Sequence, residues 1–284
     1  MIEKFIIFIT AAFAFNSCTK DDYKWPGKKI LTYQYLHLSH TRTNVNPEID
    51  SLTKTKNLSN YDMLWLGGDM ALNTSENATS MNYVNQVFNL SSSKTYFTLG
   101  NHDYTNTELI KSYTGRNKYF ATYKNGITIM VLDTQDSLSN IVGAQKQMFD
   151  TVTDTILKSS HLVILHHKLI WMLGISQLES LIPSTSNGAY GDCFYCLNNN
   201  NFYSQLYPKL LQVTQKGIKV ICVGGDLGFN ATSFEHTTGE GIKFLGSGIE
   251  YGRDTINKVI VFYHEPLNKK LSWKFVKLKD LKSL

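Results

Sequence analysis

Residues 97–106 read FTLGNHDYTN, and the reading of this stretch decides the fold. The run SKTYFTL (93–99) is rich in aromatic and β-branched residues, as a strand requires. It ends in Gly100, Asn101, His102 and Asp103, an amide, an imidazole and a carboxylate in succession. Such a tip is either a polar turn or a set of donors for a metal ion and a proton.

The pattern around it is repeated. KILTYQYLHLS (29–39) is a β-run, and YDMLWLGGD (61–69) is a second that ends in Gly-Gly-Asp. KYFATYKNGITIMVLDTQ (118–135) reads as a hairpin with Asn-Gly at its turn. GAQKQMFDTVTDTILKSS (143–160) spaces Met148, Val152, Ile156 and Leu157 as a helix does. HLVILHH (161–167) is a short buried run with two His at its end, and IKVICVGGD (218–226) is another with Gly-Gly-Asp. YSQLYPKLLQVTQKG (203–217) is helical, stopped by Gly217. IKFLGSGI, NKVIVFYHEP and KLSWKFVKL close the chain as strands. Alternating strands and helices predict an α/β architecture. Ligands of such folds bind beyond the carboxyl ends of the strands.

Taken together, the tips are Ser39-His40-Thr41-Arg42, Gly68-Asp69, Gly100-Asn101-His102-Asp103, His166-His167 and Gly225-Asp226. Asp, Asn and His suit Mn, Fe or Zn. Two such ions about 4 Å apart can ionise a water and clamp a phosphoryl group. The ordered set Gly-Asp, Gly-Asn-His-Asp and Val163-x-x-His166 resembles the calcineurin-like metallophosphoesterases, which include the purple acid phosphatases. LDTQDSLSNIVGAQKQMFDTVTDTIL (132–157) resembles that family's LDT strand, Gln and amphipathic helix.

The resemblance implies two mixed β-sheets packed as a sandwich flanked by helices, and a hydrolase of phosphate esters using one or two divalent ions. It implies that Asp69 bridges the ions and that Asn101 and His166 ligate one of them. His102 protonates the leaving group, with Asp103 orienting its ring. In place of the family's opening Asp-x-His this chain has His40-Thr41-Arg42, and in place of its closing Gly-His-x-His it has Gly225-Asp226-Leu227-Gly228. One ion would then receive Asp69, Asn101, His166 and Asp226. The other would receive His40, Arg42, the shared Asp69 and Gly228. A guanidinium stays protonated and does not ligate, and glycine offers no side chain. Arg42 could instead replace part of the lost charge and grip a phosphate oxygen. Two other functions remain open: an inactive binding module with this fold, and a different chemistry on envelope polysaccharide. Tyr104, Trp65 and Trp171 read as packing, and His37 as structural.

The first residues set an expectation about location. MIEKFIIFITAAFAFNSC has a charged start, an apolar run too short to span a bilayer, and Cys18. Residues 1–18 read as a signal peptide with a lipobox-like Cys18, 19–27 as a tether, and 28–284 as one metallophosphoesterase-like domain. The expected setting is a bacterial envelope, with membrane attachment through lipid on Cys18. The 284 residues carry a formal charge of +5, spread along the chain, which suits an anionic substrate better than a cationic one and gives little support for nucleic-acid binding, so no nucleic acid is expected. Cys193 and Cys196 (CFYC) suit a disulfide or free thiols in an oxidising compartment. The stretch 176–201 reads as an insertion that could cover the site.

Overall fold

The computed structural model describes residues 31–190 and 199–284. Cys18, Cys193 and Cys196, with the leader, the tether and the start of the domain, lie outside the described residues. Two sheets carry the fold. The first has the order β11-β10-β1-β2-β3, from β1 (Tyr33–Leu38), β2 (Met63–Leu66), β3 (Thr95–Phe97), β10 (Lys258–Glu265) and β11 (Lys270–Lys277). The second has the order β4-β5-β6-β7-β9-β8, from β4 (Phe120–Lys124), β5 (Ile127–Val131), β6 (His161–His166), β7 (Lys219–Gly224), β8 (Ser233–Thr237) and β9 (Lys243–Ser247). Strands β1, β2 and β3 are parallel, as are β5, β6, β7 and β9. Strands β10, β11, β4 and β8 pair antiparallel at the flanks.

Period-two alternation divides each strand between two cores. Tyr35, Met63, Trp65, Ile260 and Phe262 of the first sheet meet Ile129, Val163, Leu165, Ile221 and Val223 of the second, filling the sandwich. Leu36, Leu64 and Leu66 turn outward under α1 (Ala78–Phe88) and α2 (Thr107–Thr114). Leu162, Ile164, Val220 and Cys222 turn outward under α3 (Gly143–Thr155) and α4 (Tyr207–Gln215). The architecture is helix, sheet, sheet, helix: the α/β class that the alternation of elements predicts and the sandwich that the resemblance implies.

The strands expected from the sequence stand where expected, and Asn125-Gly126 turns the β4–β5 hairpin with both φ positive (52° and 91°). Strand β8 and helices α1 and α2 were not anticipated. In α3 the buried stripe is Gln145, Phe149 and Thr153. Met148 and Val152 lie half-buried beside it, and Leu157 falls past the helix end into solvent. Gln145 is buried because it closes a two-way bridge with the main chain of Asp133, accepting from its N–H (2.7 Å) and donating to its carbonyl (2.9 Å). This fixes α3 against the end of β5.

Candidate metal centre

The parallel strands of both sheets end on the same side, and their tips touch. A side chain at Gly225, after β7, would collide with the carbonyl of Gly67, after β2, so only glycine allows the two sheets to meet here. Ser39 places its hydroxyl between the carbonyls of Gly225 (2.7 Å) and Ser247 (2.5 Å), tying β1 to the second sheet. His40 donates its backbone N–H to Gly68 (2.9 Å). These ties gather the tips around a cavity of about 260 Å³ lined by His40, Arg42, Asp69, Asn101, His102, Lys168, Asn187, Gly188 and Asp226.

Asp69 is at the centre. It is 2% exposed and has φ +58°, a left-handed turn that lifts its carboxylate off the end of β2. Oδ1 accepts from the backbone N–H of His102 (3.0 Å). Gly100 must be glycine because a Cβ there would strike this carboxylate. Oδ2 lies 3.6 Å from His167 Nε2 and 3.8 Å from His40 Nε2. Burial works against the carboxylate form of Asp69, but the imidazoles of His167, His40 and His102 and the His102 N–H outweigh it and hold its pKa below the usual range. His167 is fully buried, with Nδ1 donating to Gly67 O (2.7 Å) and Nε2 without a hydrogen-bond partner. That Nε2 is also 3.9 Å from Asp226 Oδ1. Burial alone would lower the pKa of His167; Asp69 and Asp226 raise it instead.

These spacings suit one ion. Two donors each about 2.1 Å from the same cation stand about 3–4 Å apart. They are too long for hydrogen bonds, and a buried imidazole nitrogen left without a partner between two carboxylates is a costly arrangement unless something binds there. Asn101 lines the same cavity and supplies a neutral amide oxygen. Among the described residues no group of three His, Cys, Asp or Glu side chains is arranged so that it could hold a metal ion.

No family model matches the chain, and no curated protein does. Among solved structures it matches the crystal structure of a dimetal phosphatase from the zebrafish, Danio rerio, with a TM-score of 0.55 and 9% sequence identity, over 87% of this chain and 96% of that one. The fold is that of a calcineurin-like metallophosphoesterase.

Within that metallophosphoesterase fold, the residues singled out from the sequence take positions that differ in three respects. First, His166 does not reach the cavity. It follows Leu162 and Ile164 onto the outer face of β6, where its ring meets Trp171 edge-on at 4.5 Å and Nδ1 donates to Lys168 O (2.7 Å). Burial pushes its pKa down to about 3. His167 shares the inward parity of Val163 and Leu165, so it faces Asp69. Period two along HLVILHH carried this distinction in the sequence.

Second, Asp103 does not touch the His102 ring. Its carboxylate is buried and accepts from the backbone N–H groups of Asp69 (2.6 Å), Gly100 (2.8 Å) and Met70 (3.2 Å), and from the Thr74 hydroxyl. It shapes both ligand turns. Burial, then the Asp69 charge, push its pKa up to about 6. The His102 ring is oriented by the Leu72 carbonyl, which takes a hydrogen bond from Nδ1 (2.7 Å).

Third, the second donor set does not assemble. His40 faces Asp69 through Nε2, but its Nδ1 is held by Ile249 O (3.0 Å), and burial, with Arg42 adding to it, lowers its pKa. Gly228 has φ +134°, and a Cβ there would lie 2.6 Å from Ile249 O, so no donor-bearing residue fits that turn. Lys168 and Asn187, which line the cavity, were not singled out from the sequence. No motif marks them: among the described residues the insertion reaches the site through Gly188 and Asn187, whose side chain accepts from Phe229 N (2.8 Å).

Proposed function

We propose that this chain is a metal-dependent hydrolase of phosphate esters, holding one divalent ion through Asp69, Asn101, His167 and Asp226. The observation that carries this reading is His167 Nε2, buried, unpartnered and aimed at two carboxylates beside Asn101 in this fold. A bound Mn, Fe or Zn ion would supply an activated water and offset charge on the phosphoryl group.

The rest of the chemistry belongs to side chains of the chain. Asp69 and Asp226 fix the position of the cation. His167 is locked by Gly67 O, so its Nε2 lone pair is directed at the ion site. A carbonyl only accepts, so the hydrogen bond to Leu72 places a proton on His102 Nδ1. That leaves Nε2 as the atom that exchanges a proton with substrate. The imidazolium gives its Nε2 proton to the leaving oxygen and becomes the neutral Nδ1–H tautomer, the role of a general acid.

The test is metal content of the purified chain, followed by hydrolysis of a generic phosphomonoester and phosphodiester with Mn. Bound metal with turnover supports the reading. His102→Ala should keep the ion and lose about 10²–10⁴-fold in kcat, the usual worth of a general acid, with a smaller loss on an activated aryl leaving group. Absence of any bound divalent metal would sink it, and metal without turnover on either ester would point to another chemistry in the same site.

A further inference from the structure

Arg42 is the group in the cavity with an unmet need. Among the described residues it forms no ion pair and no side-chain hydrogen bond, and its Nε is buried without a partner. Its charge is felt by its neighbours, lowering the proton affinity of His40 and opposing the burial effect on Glu250. A partly buried guanidinium with empty donors is costly unless an anion meets it. Asn187 repeats the pattern from another element: its Nδ2 is buried and unpartnered while its Oδ1 is fixed by Phe229 N. Both residues line the cavity that holds Asp69 and His102.

The charges set the size of that anion. Asp69 and Asp226 bring two negative charges to the cavity wall, and Arg42 and Lys168 bring two positive. With one divalent ion and the His102 imidazolium the cavity is net positive, which a phosphomonoester dianion offsets more fully than a diester monoanion. The planar fork of arginine matches two phosphoryl oxygens at once; a monoester has three free oxygens to share between the fork and an ion, whereas a diester has two. A half-open cavity of about 260 Å³ accommodates a phosphoryl group with a small leaving group.

Resting on the one-ion reading above, we propose that Arg42 stands in place of a second metal ion and, with Asn187, binds the terminal phosphoryl group of a small phosphomonoester, selecting it over diesters.

The experiment reads binding separately from turnover. Binding of inorganic phosphate to the Mn-loaded chain is measured by calorimetry for the parent, Arg42→Met, Arg42→Lys and Asn187→Ala, alongside metal stoichiometry and circular dichroism. The expected result is one ion per chain throughout. Phosphate affinity should fall about 100-fold in Arg42→Met, about the loss of two charge-assisted hydrogen bonds. Arg42→Lys, which keeps the charge and so guards against a folding failure, should recover only part of it, and Asn187→Ala should lose about tenfold. The parent's preference for monoester over diester should shrink in Arg42→Met. Two ions per parent chain, or unchanged phosphate affinity in both Arg42 variants, overturns the proposal while leaving the hydrolase standing. A parent that binds no metal overturns the hydrolase itself.

Discussion

At the residue scale the informative contrast is between His166 and His167, neighbours with opposite surroundings. His167→Ala removes the nitrogen aimed at Asp69 and Asp226, so Mn affinity should drop by about 100-fold or more, as for loss of one ligand of a metal site. His166→Ala should leave Mn binding within about threefold and instead lower stability by about 1–3 kcal/mol, because it empties space against Trp171 in the outer core. Calorimetric Mn titration and urea denaturation of the two variants separate these outcomes. Equal loss of metal in both would refute the parity argument. His167 was legible in the sequence, since period two along HLVILHH puts it with Val163 and Leu165. The pairing of His102 with Leu72 rather than Asp103 was not legible. A backbone carbonyl 30 residues away leaves no mark in a motif.

At the scale of elements, the strand tips depend on close backbone approach more than on side chains. Gly100→Ala places a methyl group into the Asp69 carboxylate, and Gly225→Ala places one into Gly67 O. The first should cost metal affinity with modest effect on folding, because Asp69 is displaced while the sheets remain. The second forces the two sheets apart at their tips and should destabilise the fold by about 2–4 kcal/mol, in the range of severe overpacking. Chemical denaturation with Mn titration distinguishes the two, and an unperturbed Gly225→Ala protein would show that the tips are not in contact. Strand ends in Gly were visible in the sequence as a recurring feature. Which glycine opposes which carbonyl was not, because Gly67 and Gly225 belong to different sheets. Helix α3 gives a similar lesson: its apolar spacing marked a helix, but its buried stripe runs through Gln145, whose bridge to Asp133 offsets the cost of burying an amide.

Across the whole molecule, stability is linked to metal and to protons. An ion that binds the native chain alone stabilises it by RT ln(1 + [L]/Kd), about 2.7 kcal/mol at 100 times Kd. Mn should therefore raise the thermal midpoint of the parent and leave that of Asp69→Asn nearly unchanged. Protons act through buried neutral imidazoles. His161 at the start of β6 has its pKa lowered to about 4, first by burial and then by Lys219 and His264. Its folded pKa lies below its unfolded value of 6.5, so the unfolded chain binds the proton first. Its contribution to stability is complete above about pH 6.5 and is lost as pH falls from there towards about 4, where the loss levels off. Between pH 6.5 and 5 this amounts to about 1–2 kcal/mol. His37, buried in the sandwich and pushed down to about 3, acts in the same direction. Urea midpoints should fall from pH 7 to pH 5, and less so in His161→Gln. A flat profile would show that these rings are protonated in the folded chain.

Beyond the sandwich that the family resemblance implied, the sequence by itself determined the alternation of strands and helices and which polar residues stand at the strand tips. These features are local: side-chain period, turn residues and short motifs are set by the covalent chain and its immediate neighbours. Only the tertiary structure decided which tip residues meet across the two sheets, that Asp103 serves the ligand turns, and that Arg42, Lys168 and Asn187 share one cavity. Those facts depend on where two sheets meet, and that is fixed by packing between segments far apart along the chain.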